Sequence, residues 1–275
     1  MTCYDLHCHS TASDGSLSPT ELVNRAIGQG VDILALTDHD GTEGIAEASQ
    51  AAKGTDLTLL AGVEISVTWG GTTIHIVGLN IDVNHPVLQN GLTTMRQFRI
   101  GRAAEIAKRL DQAGISGALE GAKKYASEVM LGRLHFAQFL VEHGHAKNIS
   151  DVFKRYLVRN KPGYVPGKWA SLNDAVSWIT AAGGQAVIAH PARYKITATK
   201  LRRLINEFKE AGGVGFEVVS GRQHPEEIKH MAKLAEQFGL LASRGSDFHT
   251  PENSWVELGK LAALPSSCIP IWTVF

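Results

Sequence analysis

A chain of 275 residues that is 44% hydrophobic suits a single α/β barrel carrying an insertion, for which about 250 residues is typical, and is long for one β-sandwich. No run of about 18 apolar residues exists, which excludes a membrane-spanning helix. Lys and Arg total 27 against 27 Asp and Glu, a zero net charge that excludes a chain-wide nucleic-acid coat. The start, Met1-Thr-Cys-Tyr-Asp5, has neither a basic nor an apolar leader region. Cys3, Cys8 and Cys268 are too scattered for a disulfide framework or a Cys-x-x-Cys zinc pair. A reducing cytoplasm is the expected compartment, and nothing calls for an obligate protein partner.

Strand and helix signals alternate from the first residues. Tyr4–Cys8 reads as a strand, and Ser18-Pro19-Thr20-Glu21 opens a helix with cap, N1 proline and early acid, closed by Gly30. Val31–Thr37 is a buried strand and Gly44–Lys53 a helix. Leu57–Ile65 and Thr72–Ile81 are strands joined through Trp69-Gly70-Gly71. From Val87 the segments turn helical: Met95–Gln112, Leu119–Ser127, Arg133–His143 and Ile149–Tyr156. Pro162-Gly163-Tyr164-Val165-Pro166-Gly167 leads back to alternation: helix Ser171–Ala182, strand Gln185–Ala189, helix Lys200–Ala211, strand Val214–Val219, helix Pro225–Phe238 and strand Leu240–Ser243. Such alternation means a mostly parallel sheet, open or closed into a barrel. The expected organisation is a barrel of residues 1–86 and 169–275 interrupted by a helical insertion, 87–168. Charge supports the split: Val87–Lys168 holds 14 Lys/Arg against 6 Asp/Glu, a basic surface beside an acidic remainder.

The apolar strands end in metal-type ligands. His7 and His9 share one face of the first strand. Thr37-Asp38-His39-Asp40, Gly62-Val63-Glu64, His75, Ala189-His190-Pro191 and Ser246-Asp247-Phe248-His249 follow, with Asp14-Gly15 near the start. His75 alone reads as a core histidine, Asp14 as a turn former, and Asp38 and Asp40 as helix caps. Together, so many buried polar groups need partners. Two or three divalent ions sharing a carboxylate satisfy His7, His9, Asp14, His39, Glu64, His75, His190, Asp247 and His249 at once. Imidazole with carboxylate suits Mn²⁺ first, with Zn²⁺ or Fe²⁺ as alternatives, better than Ca²⁺. Such a cluster activates water and stabilises charge on a transferring phosphoryl group.

Asp-x-His-x-His-Ser, Ser-Asp-Gly, Thr-Asp-His-Asp, Gly-x-Glu, His-x-x-Gly, Ala-His-Pro and Ser-Asp-x-His, in this order, resemble the PHP (polymerase and histidinol phosphatase) superfamily. The resemblance implies an α/β fold, a distorted (β/α)₇ barrel with up to three metals. His7, His9, Glu64 and Asp247 would hold one; Glu64, His75 and His190 a second; Asp14, His39 and His249 a third. Asp5, on the face of His7 and His9, reads as an orienter of these ligands. The insertion, with Leu131-Gly132-Arg133-Leu134-His135, Phe153–Leu157 and Lys161–Pro166, is similar to the stand-alone PHP phosphoesterases that act on nucleotides, although the usual Gly-Arg-Pro-His is Gly-Arg-Leu-His. That implies hydrolysis of the 3′-phosphate of nucleoside 3′,5′-bisphosphates by a hydroxide held between the ions. Arg133 and His135 are the leading residues for the phosphate that stays, with Arg99, Arg102, Arg193, Arg222 and Lys161 behind them. Asp247, His190 and His249 are the candidate catalytic acids. Trimming of short RNA from its 5′ end is the alternative; it would use stacking aromatics such as Phe98, Phe136, Phe139 and Tyr164, which read first as core. A non-catalytic metal-binding module and a carbon–nitrogen amidohydrolase are the rivals of other classes.

Overall fold

The computed structural model describes residues 2–126, 130–252 and 255–275. Its strands are β1 (Tyr4–Cys8), β2 (Ile33–Leu36), β3 (Thr58–Trp69), β4 (Thr72–Leu79), β5 (Gln185–Ile188), β6 (Gly215–Ser220) and β7 (Leu241–Gly245), hydrogen-bonded in that order. β1–β2–β3 and β5–β6–β7 run parallel, while β4 is antiparallel to both its neighbours. The ring nearly closes where Cys8 bridges Phe248 and the Asp247 amide donates to His7 O at 2.8 Å. The result is a distorted, nearly closed seven-stranded barrel. Among the described residues no helix is long and apolar enough to cross a membrane.

The reversal at β4 matters for the site. Because β3 and β4 form a hairpin, with Ser66 opposite His75 and Glu64 opposite Val77, Glu64 and His75 are diagonal neighbours on one face. An N-terminal residue of β4 thereby reaches the rim that the parallel strands reach with their C-terminal ends.

On the outside lie α1 (Pro19–Gly28), α2 (Ile45–Ala52), α7 (Leu172–Ala181), α8 (Ala198–Glu210) and α9 (Pro225–Phe238). α1 starts with the expected capping box of Ser18 and Glu21. The helical segment comprises α3 (Pro86–Gln112), α4 (Ala118–Lys123), α5 (Arg133–Glu142) and α6 (Ile149–Val152), which runs into a π-helical turn, Phe153–Leu157. α4 ends at Lys123, short of the expected Leu119–Ser127, of which Ser127 lies outside the described residues.

α3 begins at Pro86 rather than Met95. Its first turns carry Asn90, Gly91 and two threonines, poor helix formers whose cost tertiary packing offsets. Gly91 is needed there, since a Cβ would sit inside the Trp178 indole. Leu88, Leu92 and Met95 pack into the barrel's main core, whereas Ala103, Ile106 and Leu110 pack with Phe136, Phe139, Leu140 and Val152 in a separate cluster. One helix thus ties the helical segment rigidly to the barrel.

Candidate metal centre and substrate cleft

All nine predicted ligands meet at one barrel rim. The donor atoms of eight of them form three overlapping groups: His7, His9, Glu64 and Asp247; His9, Asp14, His39 and His249; and His39, Glu64 and His75. The ninth, His190, joins through Glu64. Glu64, fully buried, is the hub. Its Oε1 lies 2.9 Å from His75 Nδ1, 3.0 Å from His190 Nε2 and 3.4 Å from His7 Nε2, and its Oε2 lies 3.4 Å from His9 Nε2. Asp247 Oδ1 faces His9 and His7 Nε2 at 3.2 and 3.4 Å, and Asp14 Oδ1 faces His249 Nε2 at 3.3 Å. His39 Nδ1 meets Glu64 Oε2 at 2.9 Å, so His39 joins the Glu64–His75 group as well as Asp14 and His249.

The donor set fits divalent cations. Asp14 Oδ1, His39 Nδ1 and Glu64 Oε2 are buried in close polar contacts that form no well-aligned hydrogen bond, and His190 Nδ1 is buried without a partner, a cost that metal coordination removes. His7 Nε2 and His9 Nε2 point at each other 3.2 Å apart. His7 Nδ1 donates to Glu217 Oε1 at 3.0 Å, which in the neutral ring turns the Nε2 lone pair into the cluster. Three of the few non-glycine residues with left-handed backbone, Asp40 (φ 49°), His190 (φ 29°) and Asp247 (φ 55°), belong to this rim; such strain gathers at functional sites.

The carboxylates around the ligands differ from expectation. Asp5 does not orient the histidines. Its buried carboxylate accepts from the Ser246 and Gly259 amides at 2.8 and 2.9 Å and so pins the loop bearing Asp247. The orienter is Glu217 on β6, whose Oε1 takes His7 Nδ1–H and whose Oε2 takes the His190 amide. An acid inside the buried strand Gly-Phe-Glu-Val-Val-Ser is the signal that could have flagged it, because a lone buried charge is costly. Gly245 leaves the space for this pair: a Cβ there would collide with His7. Asp38 and Asp40 cap no helix. Asp38 binds Ser10 and Ser13 in the turn beneath His9.

Asp40 accepts the Ser66 amide at 2.7 Å and a forked contact from Arg99 Nε and Nη2. Both residues are buried, so Asp40→Ala strands a buried guanidinium. We expect it to cost about 3–5 kcal/mol, seen as a Tm lowered by roughly 10 °C for a chain of this size.

Beside the cluster, a cavity of about 220 Å³ is lined by Asp14, His39 and His75 on the barrel side and by Arg99, Arg102, Arg133 and His135 on the helical side. Phe153, Tyr164 and Trp169 add aromatic walls. Arg99 and Arg102 stack on Trp169 at 4.9 and 5.2 Å, and Arg133 on Phe153 at 5.6 Å. Arg99 is committed to Asp40, but no carboxylate among the described residues pairs with Arg102 or Arg133. Burial, together with Arg133 and Arg99, brings Arg102 down to about 10, so it is still a cation at neutral pH. His135, 2% exposed, accepts the Gly132 amide on Nδ1 at 3.0 Å, and burial lowers its pKa. It is therefore a neutral ring with Nε2–H free to donate.

Of the other sequence candidates, Arg193 is outside this cavity, holding Asp247 Oδ2 and Gly221 O. Arg222 lines a different cavity, and Lys161 lines none of those described. Asp247, His190 and His249 sit in the cluster without lining the cleft. Phe136 and Phe139 are core residues. Trp169 escaped notice because it carries no motif, and Phe153 entered only as the start of the segment Phe153–Leu157, without a role of its own.

Electrostatics couple the cluster to protons. Burial would raise the carboxylates, but the surrounding imidazoles hold Glu64, Asp14 and Asp247 well below the usual range. Burial would lower the imidazoles, yet Glu64 and Asp14 push His39 up to about 9, and Asp14 and Asp247 push His249 to about 10. Without metal these rings are protonated at pH 7, so cations must displace protons. Apparent Mn²⁺ affinity is expected to rise as pH rises from 6 towards 9, with proton release measurable by calorimetry in buffers of different ionisation enthalpy. Affinity that is flat across this range would contradict it.

The chain matches the PHP domain model over residues 5–218. It is 48% identical over 273 residues to a 3′,5′-nucleoside bisphosphate phosphatase of Chromobacterium violaceum, covering 99% of this chain and 96% of that one. It is also 48% identical to a 5′-3′ exoribonuclease of Haemophilus influenzae, covering 99% and 98%. A solved structure from Chromobacterium violaceum, described as an amidohydrolase with bound sulfate and no metal, superposes with a TM-score of 0.93 at 48% identity, covering 99% of this chain and 95% of that one. Nine ligand-type residues on one barrel rim, and likeness of this extent, carry one conclusion: the chain belongs to the PHP domain family and is a phosphoric ester hydrolase.

Proposed function

We propose that the chain hydrolyses the 3′-phosphate of nucleoside 3′,5′-bisphosphates. The observation that carries this is the pair Arg102, buried, and Arg133, half-buried, cations without carboxylates among the described residues, facing a cleft whose other wall is the ligand cluster. Uncompensated guanidiniums are a receptor for an anion, and one placed beside a phosphoesterase centre reads a second phosphate that is not cleaved. Arg133, Arg102 and His135 Nε2–H would grip the 5′-phosphate, with Arg99 adding its remaining N–H groups. Tyr164, Trp169 and Phe153 offer faces for the base. The helical segment 87–168 then acts as a cap that supplies the phosphate receptor to the barrel.

His7, His9, Glu64 and Asp247, then Glu64, His75 and His190, then Asp14, His39 and His249 would hold two or three divalent ions, Mn²⁺ foremost. Bound there, such ions supply a water of lowered pKa and neutralise charge on the reacting phosphoryl oxygens. The water oxygen bonds to phosphorus, the P–O3′ bond breaks with its electron pair going to O3′, and O3′ takes a proton. Asp247, held as a carboxylate by His7 and His249 and gripped by Arg193, is the poorest donor of the three acid candidates. His190 and His249 fit that role better. The three cysteines, all free, accord with a reducing cytoplasm, where nucleotides occur.

Removal of a 5′-mononucleotide from a 5′-phosphorylated RNA breaks the same P–O3′ bond. The relatives named for each activity support this second reading in the same site. Phosphate release from a nucleoside 3′,5′-bisphosphate with added Mn²⁺ tests the first reading; absence of turnover would remove it.

A further inference from the structure

A second cavity, of about 120 Å³, shares no lining residue with the first. Asp247 belongs to the ligand cluster beside the first, and its neighbour Ser246 lines the second. Asp247 Oδ1 faces His7 and His9, while its Oδ2 is held by Arg193. The same guanidinium donates Nη2–H to Gly221 O at 3.0 Å, and Gly221 is part of the second cavity's wall. Next to it Arg222 is exposed, in left-handed backbone at φ 62°, a conformation that glycine would adopt without strain. No carboxylate among the described residues pairs with Arg222. Trp255, 76% exposed, and the exposed Lys260 complete the rim. The cavity's one carboxylate, Glu257, is neutralised by Arg25, whose Nε lies 2.9 Å from its Oε1. Cations around a bare indole are the recognition pattern for single-stranded nucleic acid, which pairs backbone phosphates with a stacking platform.

The two substrates proposed above differ in one respect. In a bisphosphate the reacting phosphorus ends the molecule, whereas in RNA it carries a further nucleoside. The first cavity, about 220 Å³ and walled by Arg99, Arg102, Arg133 and the aromatics, is taken in this reading as the seat of the 5′ nucleotide. The rest of a strand then continues past the cluster, and the chain of contacts Asp247–Arg193–Gly221 leads to the second cavity. We infer that this face is the track for the downstream part of a single-stranded oligonucleotide, with Arg193 and Arg222 at its phosphates and Trp255 stacking on a base. This rests on the hydrolase reading of the cluster.

The test compares kcat/KM on a nucleoside 3′,5′-bisphosphate and on a 5′-phosphorylated pentaribonucleotide, with Mn²⁺, for the unmodified protein, Trp255→Ala and Trp255→Phe. Binding of a phosphorothioate-linked pentamer is followed in parallel by fluorescence anisotropy. Trp255→Ala should lower kcat/KM on the pentamer by about 5- to 100-fold, the size of one lost stacking contact, and leave bisphosphate turnover within about twofold. Trp255→Phe should recover most of the loss. Arg222→Ala should reduce the slope of log affinity against log salt by about 0.7, one phosphate contact on a single strand. Equal losses on both substrates, or none on the pentamer, would overturn the track while leaving the bisphosphate reading intact. If the unmodified protein hydrolyses neither substrate, the hydrolase reading fails and binding decides. Weakened pentamer binding by Trp255→Ala then upholds the track, and unchanged binding overturns it.

Discussion

Replacing Arg133 with alanine is expected to lower kcat/KM for a nucleoside 3′,5′-bisphosphate by about 30- to 150-fold, the roughly 2–3 kcal/mol of a charge-assisted hydrogen bond. Arg133 is half-buried, lies over the Phe153 ring and has no carboxylate among the described residues to neutralise it. Its fork is therefore partly desolvated and held against the ring before any anion arrives, which lowers the ordering cost of binding one. Since the 5′-phosphate is gripped alike in ground and transition states, most of the loss should appear in KM. Arg133→Lys should recover only part of it, because an ammonium cannot reproduce the planar two-pronged contact. The control is a nucleoside 3′-monophosphate, on which Arg133→Ala should have little effect. A similar drop on both substrates would mean that Arg133 serves the reacting phosphate instead. Metal content should be unchanged, since Arg133 belongs to none of the ligand groups.

Glu64→Gln should be more severe, reducing turnover by at least about 10³-fold, equivalent to several kcal/mol of lost transition-state stabilisation. Glu64 touches His7, His9, His39, His75 and His190, so it is shared by more than one ligand group. The amide keeps the volume but removes the charge and one acceptor oxygen. Bound Mn²⁺, measured by elemental analysis after dialysis, should fall by one or two ions per chain. With its anionic partner gone, His39 should titrate below its value of about 9, observable by NMR of the metal-free protein. Unaltered metal content with intact activity would remove Glu64 from the bridging role.

The ligand set was legible because every member but Asp14, which lies in a turn, ends, closely follows or interrupts an apolar strand, where an unpaired polar group needs a reason. His7, His9, His39, His190, Asp247 and His249 stand out in this way even without a family pattern. Glu217 obeys the same logic but escaped, since one acid in a six-residue strand repeats no motif. Asp5 was misread because the same face of a strand is not the same depth: the chain brings Ser246 and Gly259 to it, not an imidazole. The start of α3 was hidden by residues with poor helix propensity that packing on Trp178 overrides. Among the arginines, residue type fixed nothing. Arg99 and Arg102 lie one turn apart on α3, yet Asp40 claims only the first. Arg193 and Arg222 face away from the cleft because loop paths, unreadable in a single sequence, decide where an arginine points.

The comparison that bears most directly on a centre reading two phosphates is the ratio of kcat/KM for a nucleoside 3′,5′-bisphosphate to that for the matching nucleoside 3′-monophosphate, measured by phosphate release on Mn²⁺-loaded protein. Two or more charge-assisted contacts to the 5′-phosphate, each worth roughly 1.5–3 kcal/mol, predict a preference of at least about 100-fold for the bisphosphate. Equal values, or a preference for the monophosphate, would contradict the assignment of Arg102, Arg133 and His135 as a phosphate receptor, and with it the proposed substrate.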